Sequence, residues 1–282
     1  MDFGRNVIAL TVAAAALIGS VAQAQYGYET QTFDNATSVF NAGWNGSGNT
    51  ANGNSYGFSN SDNTGGASGA GEAGGLFARS TAANASYYGD TTLLSQFLLN
   101  DQFIEASGEL ALVQRNDTQG VVVQVGHFVP DHLFRLFMGF RVVDGPGLVD
   151  FSIRPIMIGT NFTGGVGAET GPATTLSPGT YSWSYVYDPH ANGADGALTL
   201  YVTNSLNAQV VNSTAIVDAV TKALRPGWKV NAFGFSNGAT GTDDSGQTDT
   251  IFVDNVIYSA IPEPTGVALL GAAALLILRR RK

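Results

Sequence analysis

An all-β fold, a sandwich or a barrel, is what this sequence predicts, and three observations carry the prediction. Short runs rich in β-branched and aromatic residues recur along the chain, with turn formers between them. Glycine is abundant, at 36 of 282 residues, and gathers in the connections. There is no cysteine, so the chain stands on a buried core or on bound ions rather than on disulfides. Roughly 238 residues lie between the terminal segments described below, ample for one core.

The elements follow in order. Over 41–75, Gly, Asn, Ser and Ala surround the isolated aromatics Trp44, Tyr56 and Phe58, which predicts long loops between short strands. Strand 103–113 alternates, with Ile104, Ala106, Gly108, Leu110 and Leu112 on one side. Strands 120–128 and 133–143 are joined by a Pro130-Asp131 turn, and 149–158, 180–187, 197–202, 229–235 and 250–258 complete the set. One segment reads differently. Ile216, Val220 and Leu224 recur at helical spacing after Asn212-Ser213 and before Pro226-Gly227, so a helix is predicted over 214–224.

Two stretches sharpen the fold. Tyr181-Ser182-Trp183-Ser184-Tyr185-Val186-Tyr187-Asp188-Pro189, a glycine-rich loop and the run 197–202 read as a hairpin. The last run of the domain is Ile251-Phe252-Val253-Asp254-Asn255-Val256. The hairpin resembles the strand pair of concanavalin-like and laminin-G-like jelly rolls, and the last run resembles the closing strand of extracellular, carbohydrate-binding jelly rolls. The resemblance spans 30–259 at the level of fold. It implies a jelly-roll β-sandwich whose first and last strands lie side by side, with Thr32-Phe33-Asp34 next to Asp254.

The ends describe an itinerary. Arg5, an apolar run over 7–18 and the small-x-small site Ala22-Gln23-Ala24 read as a signal peptide over 1–24, an uncleaved signal anchor being the alternative. At the other end, Pro262-Glu263-Pro264 precedes an apolar stretch, 265–278, and a basic tip of Arg279, Arg280, Arg281 and Lys282. As a helix, that stretch is about 21 Å long, short for a bilayer core of roughly 30 Å. The basic tip holds the cytoplasmic side, and the two prolines keep Glu263 extended outside. The order over 260–282 resembles the PEP-CTERM sorting signal of Gram-negative, exopolysaccharide-producing bacteria. That resemblance implies processing by an exosortase-type membrane transpeptidase; a plain single-pass anchor is the alternative.

Charge excludes some partners. The whole chain has 22 acidic and 13 basic residues. Without Asp2 and Arg5 in the leader, and without Glu263 and the four-residue tip, 20 acidic and 8 basic residues are left. Such a surface repels nucleic acid. Thiol catalysis and thiolate metal sites are ruled out by the missing cysteines.

Candidate chemistry is sparse. Glu105 and Glu109 share a strand face, but four steps place them roughly 13 Å apart, beyond the 5 to 9.5 Å of glycosidase carboxylates. They read as solvent-facing charges. His127, His132 and His190 lack metal-ligand spacing and read as surface or turn residues. Gly164-Gly165-Val166-Gly167 reads as a loop without the Lys-Ser/Thr of a phosphate cradle. Oxygen ligands for calcium occur at Asp188, Asn192 and Asp195, at Asp243, Asp244 and Asp249, and at Asp254. Asp34 with Asp254 is the candidate pair for a structural calcium ion. Tyr181, Trp183, Tyr185 and Tyr187 fall on one strand face, suited to packing inside the sandwich or, alternatively, to stacking on a glycan; Trp44 and Trp228 are further aromatic candidates.

The reading is therefore a secreted, non-enzymatic envelope protein with a structural or adhesive role in an exopolysaccharide or biofilm setting. That setting is what the sorting-signal resemblance implies. A lectin-like carbohydrate-binding module is the alternative, and a polysaccharide-acting enzyme a distant third.

Overall fold

The computed structural model describes residues 27–34, 44–47, 71–74, 87–93, 96–97, 102–113, 121–130, 136–144, 150–160, 166–217, 229–237 and 251–261. Two antiparallel sheets dominate them. The first runs β1 (Gly27–Gln31), β17 (Ile251–Ile261), β6 (Ile104–Leu112), β12 (Gly179–Asp188), β13 (Ala197–Asn204), β14 (Gln209–Ile216), with β3 (Ala73–Gly74) paired to β17. The second runs β10 (Val166–Thr170), β9 (Phe151–Thr160), β8 (Leu136–Asp144), β7 (Val121–Phe128), β16 (Ala232–Asn237), β4 (Tyr87–Asp90), β2 (Asn45–Ser47), with β11 (Thr174–Leu176) on β9. A small separate pair joins β15 (Lys229–Val230) to β5 (Gln96–Phe97).

The sheets pack face to face because each strand alternates. On β12, Trp183, Tyr185 and Tyr187 are buried while Ser182, Ser184 and Val186 face out. On β7 and β8, Val123, Val125, Met138, Phe140 and Val142 turn toward them and join one core. Rings meet across the gap, Phe140 and Trp183 at 4.9 Å between centroids and Phe233 stacked on Tyr258 at 4.3 Å. Each fully buried large apolar side chain of this kind stabilises by roughly 2–3 kcal/mol.

The predicted hairpin is present. β12 and β13 pair from Tyr181↔Asn204 to Asp188↔Ala197, closed by one helical turn at Ala191–Ala194 in which Asn192 and Gly193 adopt left-handed dihedrals. First and last strands do lie side by side, with Tyr28↔Ser259 and Gln31↔Val256 in register. Within 41–75, the described residues form only the short strands β2 and β3, and Trp44 is buried in the core.

Some expectations are corrected. Residues 214–216 are not the start of a helix but the end of β14, and Asn212-Ser213 lie inside that strand. Period two prevails there because Val211, Ser213, Ala215 and Val217 are buried in alternation, which sheet pairing to β13 rewards. The rest of the predicted helix, 218–224, lies outside the described residues, as does the Asp131 turn. Val166 and Gly167 are not loop but open β10, paired with Thr160 and Gly159. The strand β17 continues to Ile261, past the predicted end at residue 258. Strands β4, β10 and β11 went unpredicted, each being too short to show an alternating pattern.

No helix among the described residues is long and apolar enough to cross a membrane. The signal segment 1–24 and, of the sorting segment 260–282, residues 262–282 lie outside them.

Candidate functional site

A polar assembly lies between the two sheets. His127 on β7 is fully buried between the sheets. Its Nε2 lies 2.8 Å from the Ser259 carbonyl oxygen and its Nδ1 2.6 Å from the Tyr185 hydroxyl. A carbonyl only accepts, so Nε2 carries the proton, and the neutral ring accepts the Tyr185 hydroxyl at Nδ1. Burial pushes the histidine pKa down to about 4, the bond to Ser259 opposing in part. Burial likewise raises the Tyr185 phenol well above its ordinary range. This corrects the surface reading of His127: parity on β7 aims it inward with Val123 and Val125. The arrangement ties the two sheets, and both partners are neutral at physiological pH.

Ser259 carries that tie on an unusual seam. The β17–β6 ladder ends at Tyr258↔Ala106, and there the Ser259 hydroxyl receives the Glu105 N–H and donates to the Glu105 carbonyl, each at 2.9 Å. A side chain thus does what backbone pairing does elsewhere.

The two glutamates stand on the outer face of the first sheet, as read. The Glu105 carboxylate accepts from the Tyr28 hydroxyl, and Glu109 Oε2 accepts from Asn255 Nδ2 at 2.9 Å. They serve separate partners. His190 is exposed, its N–H donating to Asp188 Oδ1 at 2.8 Å, so Asp188 acts as a turn residue. His132, Trp228, Asp243, Asp244 and Asp249 lie outside the described residues.

Asp34 is half-buried and Asp254 fully buried. The β1–β17 pairing brings them to the same edge, since register ends at Gln31↔Val256. Among the described residues, however, no three His, Asp or Glu side chains are grouped to hold a metal. Two carboxylates fall short of the six to eight oxygens calcium takes, so these residues alone do not make its site. The sorting residues Pro262, Glu263, Pro264, Arg279, Arg280, Arg281 and Lys282, and the cleavage residues Ala22 and Ala24, lie outside the described residues.

Three aromatics of the predicted row, Trp183, Tyr185 and Tyr187, are core, and Tyr181 packs at its margin, its hydroxyl donating to the Ser177 carbonyl at 2.6 Å. Tyr181 also reaches an open hollow of about 170 Å³ on the first sheet, lined by Glu109, Thr180, Tyr181, Ser182, Asn204, Ser205 and Asn207. The β13–β14 turn builds one wall. Asn204 Oδ1 accepts the N–H groups of Leu206 and Ala208 at 3.0 Å, and Asn207 sits at φ 58, a conformation asparagine tolerates. Hydroxyl and amide groups with one carboxylate and one phenol make a polar lining suited to hydrogen bonding a hydroxylated ligand.

No family model and no curated protein matches the chain. Solved structures similar to it include a lectin from Bauhinia forficata in complex with GalNAc, at 12% identity over 83% of this chain and 98% of that one, TM-score 0.41. They also include a legume lectin-like domain from Entamoeba histolytica, at 10% identity over 80% and 95%, TM-score 0.41. An alginate lyase is similar at 14% identity over 84% and 98%, TM-score 0.39. The expectation of a non-enzyme is corrected on this finding, since lyases stand among the similar structures. The exclusion had rested on the missing carboxylate pair of hydrolases, which elimination by proton abstraction does not require. These likenesses make no case for a particular activity.

Proposed function

We propose that the chain is an exported envelope protein whose β-sandwich contacts extracellular polysaccharide. The structural or adhesive role follows from that contact. What supports it is the hollow beside Tyr181 and Asn204, open to solvent and lined by hydroxyl and amide groups. Similar structures include a lectin with bound GalNAc and an alginate lyase, and the sugar class they bind or act on is the class proposed here. The jelly-roll reading of the two sheets belongs to the same proposal.

Export and sorting rest on the termini. The apolar stretch 265–278 parks the chain in the membrane, and Pro262-Glu263-Pro264 presents it to an exosortase-type transpeptidase. Ala22 and Ala24 mark the leader cleavage.

The test has two arms. Native protein is pulled down on a panel of insoluble and immobilised polysaccharides, with a Ser182→Arg variant that fills the hollow from an exposed position. Retention of the wild type on at least one polysaccharide and loss by the variant supports the contact; equal retention of both removes the hollow from the proposal. Mass spectrometry of the C-terminus of envelope-extracted protein addresses sorting. A mature end upstream of residue 265 is expected, and intact Lys282 speaks for a plain anchor.

A further inference from the structure

The second sheet carries a polar row on the face opposite the core. Ser236, Gln124, Arg141 and Arg154 occur on four neighbouring strands, directly in register: Ser236↔Gln124, Gln124↔Arg141 and Arg141↔Arg154. All share a face with Phe128, Phe137 and Ile156, which form a cluster apart from the main core. The three strands of Gln124, Arg141 and Arg154 span roughly 10 Å.

This row is rich in donors and short of acceptors. Two arginines stand directly opposite each other in the ladder, a like-charge pairing that repels. Among the described residues no carboxylate pairs with either arginine. Burial, and then the charge of Arg154, lowers the proton affinity of Arg141. Arg141 Nε is buried without a hydrogen-bond partner. Gln124 is only 2% exposed; its Oε1 accepts from the Ser236 hydroxyl at 3.1 Å, and its Nε2 is buried with no acceptor. An unmet buried donor is destabilising, the more so when charged, so two such donors beside a like-charge pair are not a resting arrangement chosen for stability.

We propose that Gln124, Arg141 and Arg154 form a binding site for an oxyanion group, a carboxylate or sulfate, as carried by an acidic glycan. One such group supplies the acceptors that Arg141 Nε and Gln124 Nε2 lack and neutralises the facing guanidiniums, which match planar oxyanions bidentately. Arg141 and Arg154 are each half-buried, so the row is not sealed from solvent along its length. In a chain of formal net charge −9, a paired cationic spot is a selective local feature rather than a general basic surface. The site lies on the opposite sheet from the hollow at Tyr181 and does not rest on it.

The experiment follows thermal unfolding of the full chain in sodium sulfate, in trigalacturonate and in the neutral maltotriose, against sodium chloride at matched ionic strength. A saturable rise in Tm at millimolar sulfate or trigalacturonate, and none with maltotriose, is expected. A response to trigalacturonate only assigns the site to glycan carboxylates; a response to sulfate as well assigns it to oxyanions in general. Arg154→Gln is expected to weaken that response at least tenfold. In sodium chloride without added sulfate or trigalacturonate, the same variant is expected to melt up to about 3 °C higher, because the repulsion is relieved. Arg154→Lys, which keeps the charge, retains part of the response. Absence of any saturable anion response in the wild type overturns the proposal. So does an Arg154→Gln variant that melts lower yet responds as the wild type does, which makes the arginine structural. Polysaccharide retention through the hollow, tested with Ser182→Arg, is read separately.

Discussion

The hydroxyl of Tyr185, on one sheet, donates to Nδ1 of His127, on the other, across 2.6 Å of the sandwich interior. Around this bond the core is aromatic: the His127 ring meets Phe233 at 5.0 Å between centroids, and Trp183 stacks on Tyr185 at 6.1 Å. The neutral imidazole is therefore fixed on both nitrogens in a site where burial disfavours its charged form.

That fixes a pH dependence. An unfolded histidine titrates near 6.5, and here the folded value is about 4. Between those limits the unfolded chain binds the extra proton, so the full contribution of His127 is present above pH 6.5. It is lost as pH falls toward 4, and below that no more is lost. The difference amounts to about 3 kcal/mol. Urea unfolding of wild type and His127→Phe at intervals from pH 4 to 8 reads it as a slope present only in the wild type. Parallel curves would refute the assignment.

Tyr185→Phe keeps the ring and removes one donor. Nδ1 of His127 is then a buried acceptor without a partner, at a cost of about 1–3 kcal/mol. Because the wild-type ring is neutral, the loss is expected to be the same at pH 7 and pH 8. Chemical denaturation at the two values checks this.

Ser259→Ala removes the hydroxyl that serves both backbone groups of Glu105. A loss of about 1–3 kcal/mol is expected. Hydrogen exchange localises it: the Glu105 amide exchanges faster in the variant, while amides in the middle of β12 keep their protection. Uniform loss of protection points instead to a global effect.

Gly126 and Gly139 face each other on β7 and β8, and a Cβ on either meets the backbone of the other strand, the Met138 and Val125 carbonyl oxygens respectively. Backbone cannot swing aside as a flexible side chain does. Gly139→Ala is expected to cost upward of about 3 kcal/mol or to prevent folding. Gly193 in the β12–β13 turn has open space around it but a φ of 71, so Gly193→Ala is expected to cost only about 1 kcal/mol of backbone strain. Melting temperatures of the two variants give the comparison, and equal losses contradict the close approach of β7 and β8.

Much of the fold was legible because it is local. Alternation along 181–187 told which residues of β12 face in, and the glycine-rich loop after Pro189 told that β13 turns back on it. The 214–216 segment was misread for a local reason too, since Ile216, Val220 and Leu224 mimic a helical stripe while Val211, Ser213 and Ala215 keep strand period. Parity could have found the inward direction of His127, which shares it with Val123 and Val125.

The sequence by itself determined the all-β class, the hairpin and the alternation of β12, because periodicity and composition are properties of neighbouring residues. Only the tertiary structure decided that His127 meets Tyr185 and Ser259, and that Gln124, Arg141 and Arg154 stand in one row. Those neighbours come from strand pairing and sheet packing between distant segments. A single-residue shift in register would turn the same side chains to the other face.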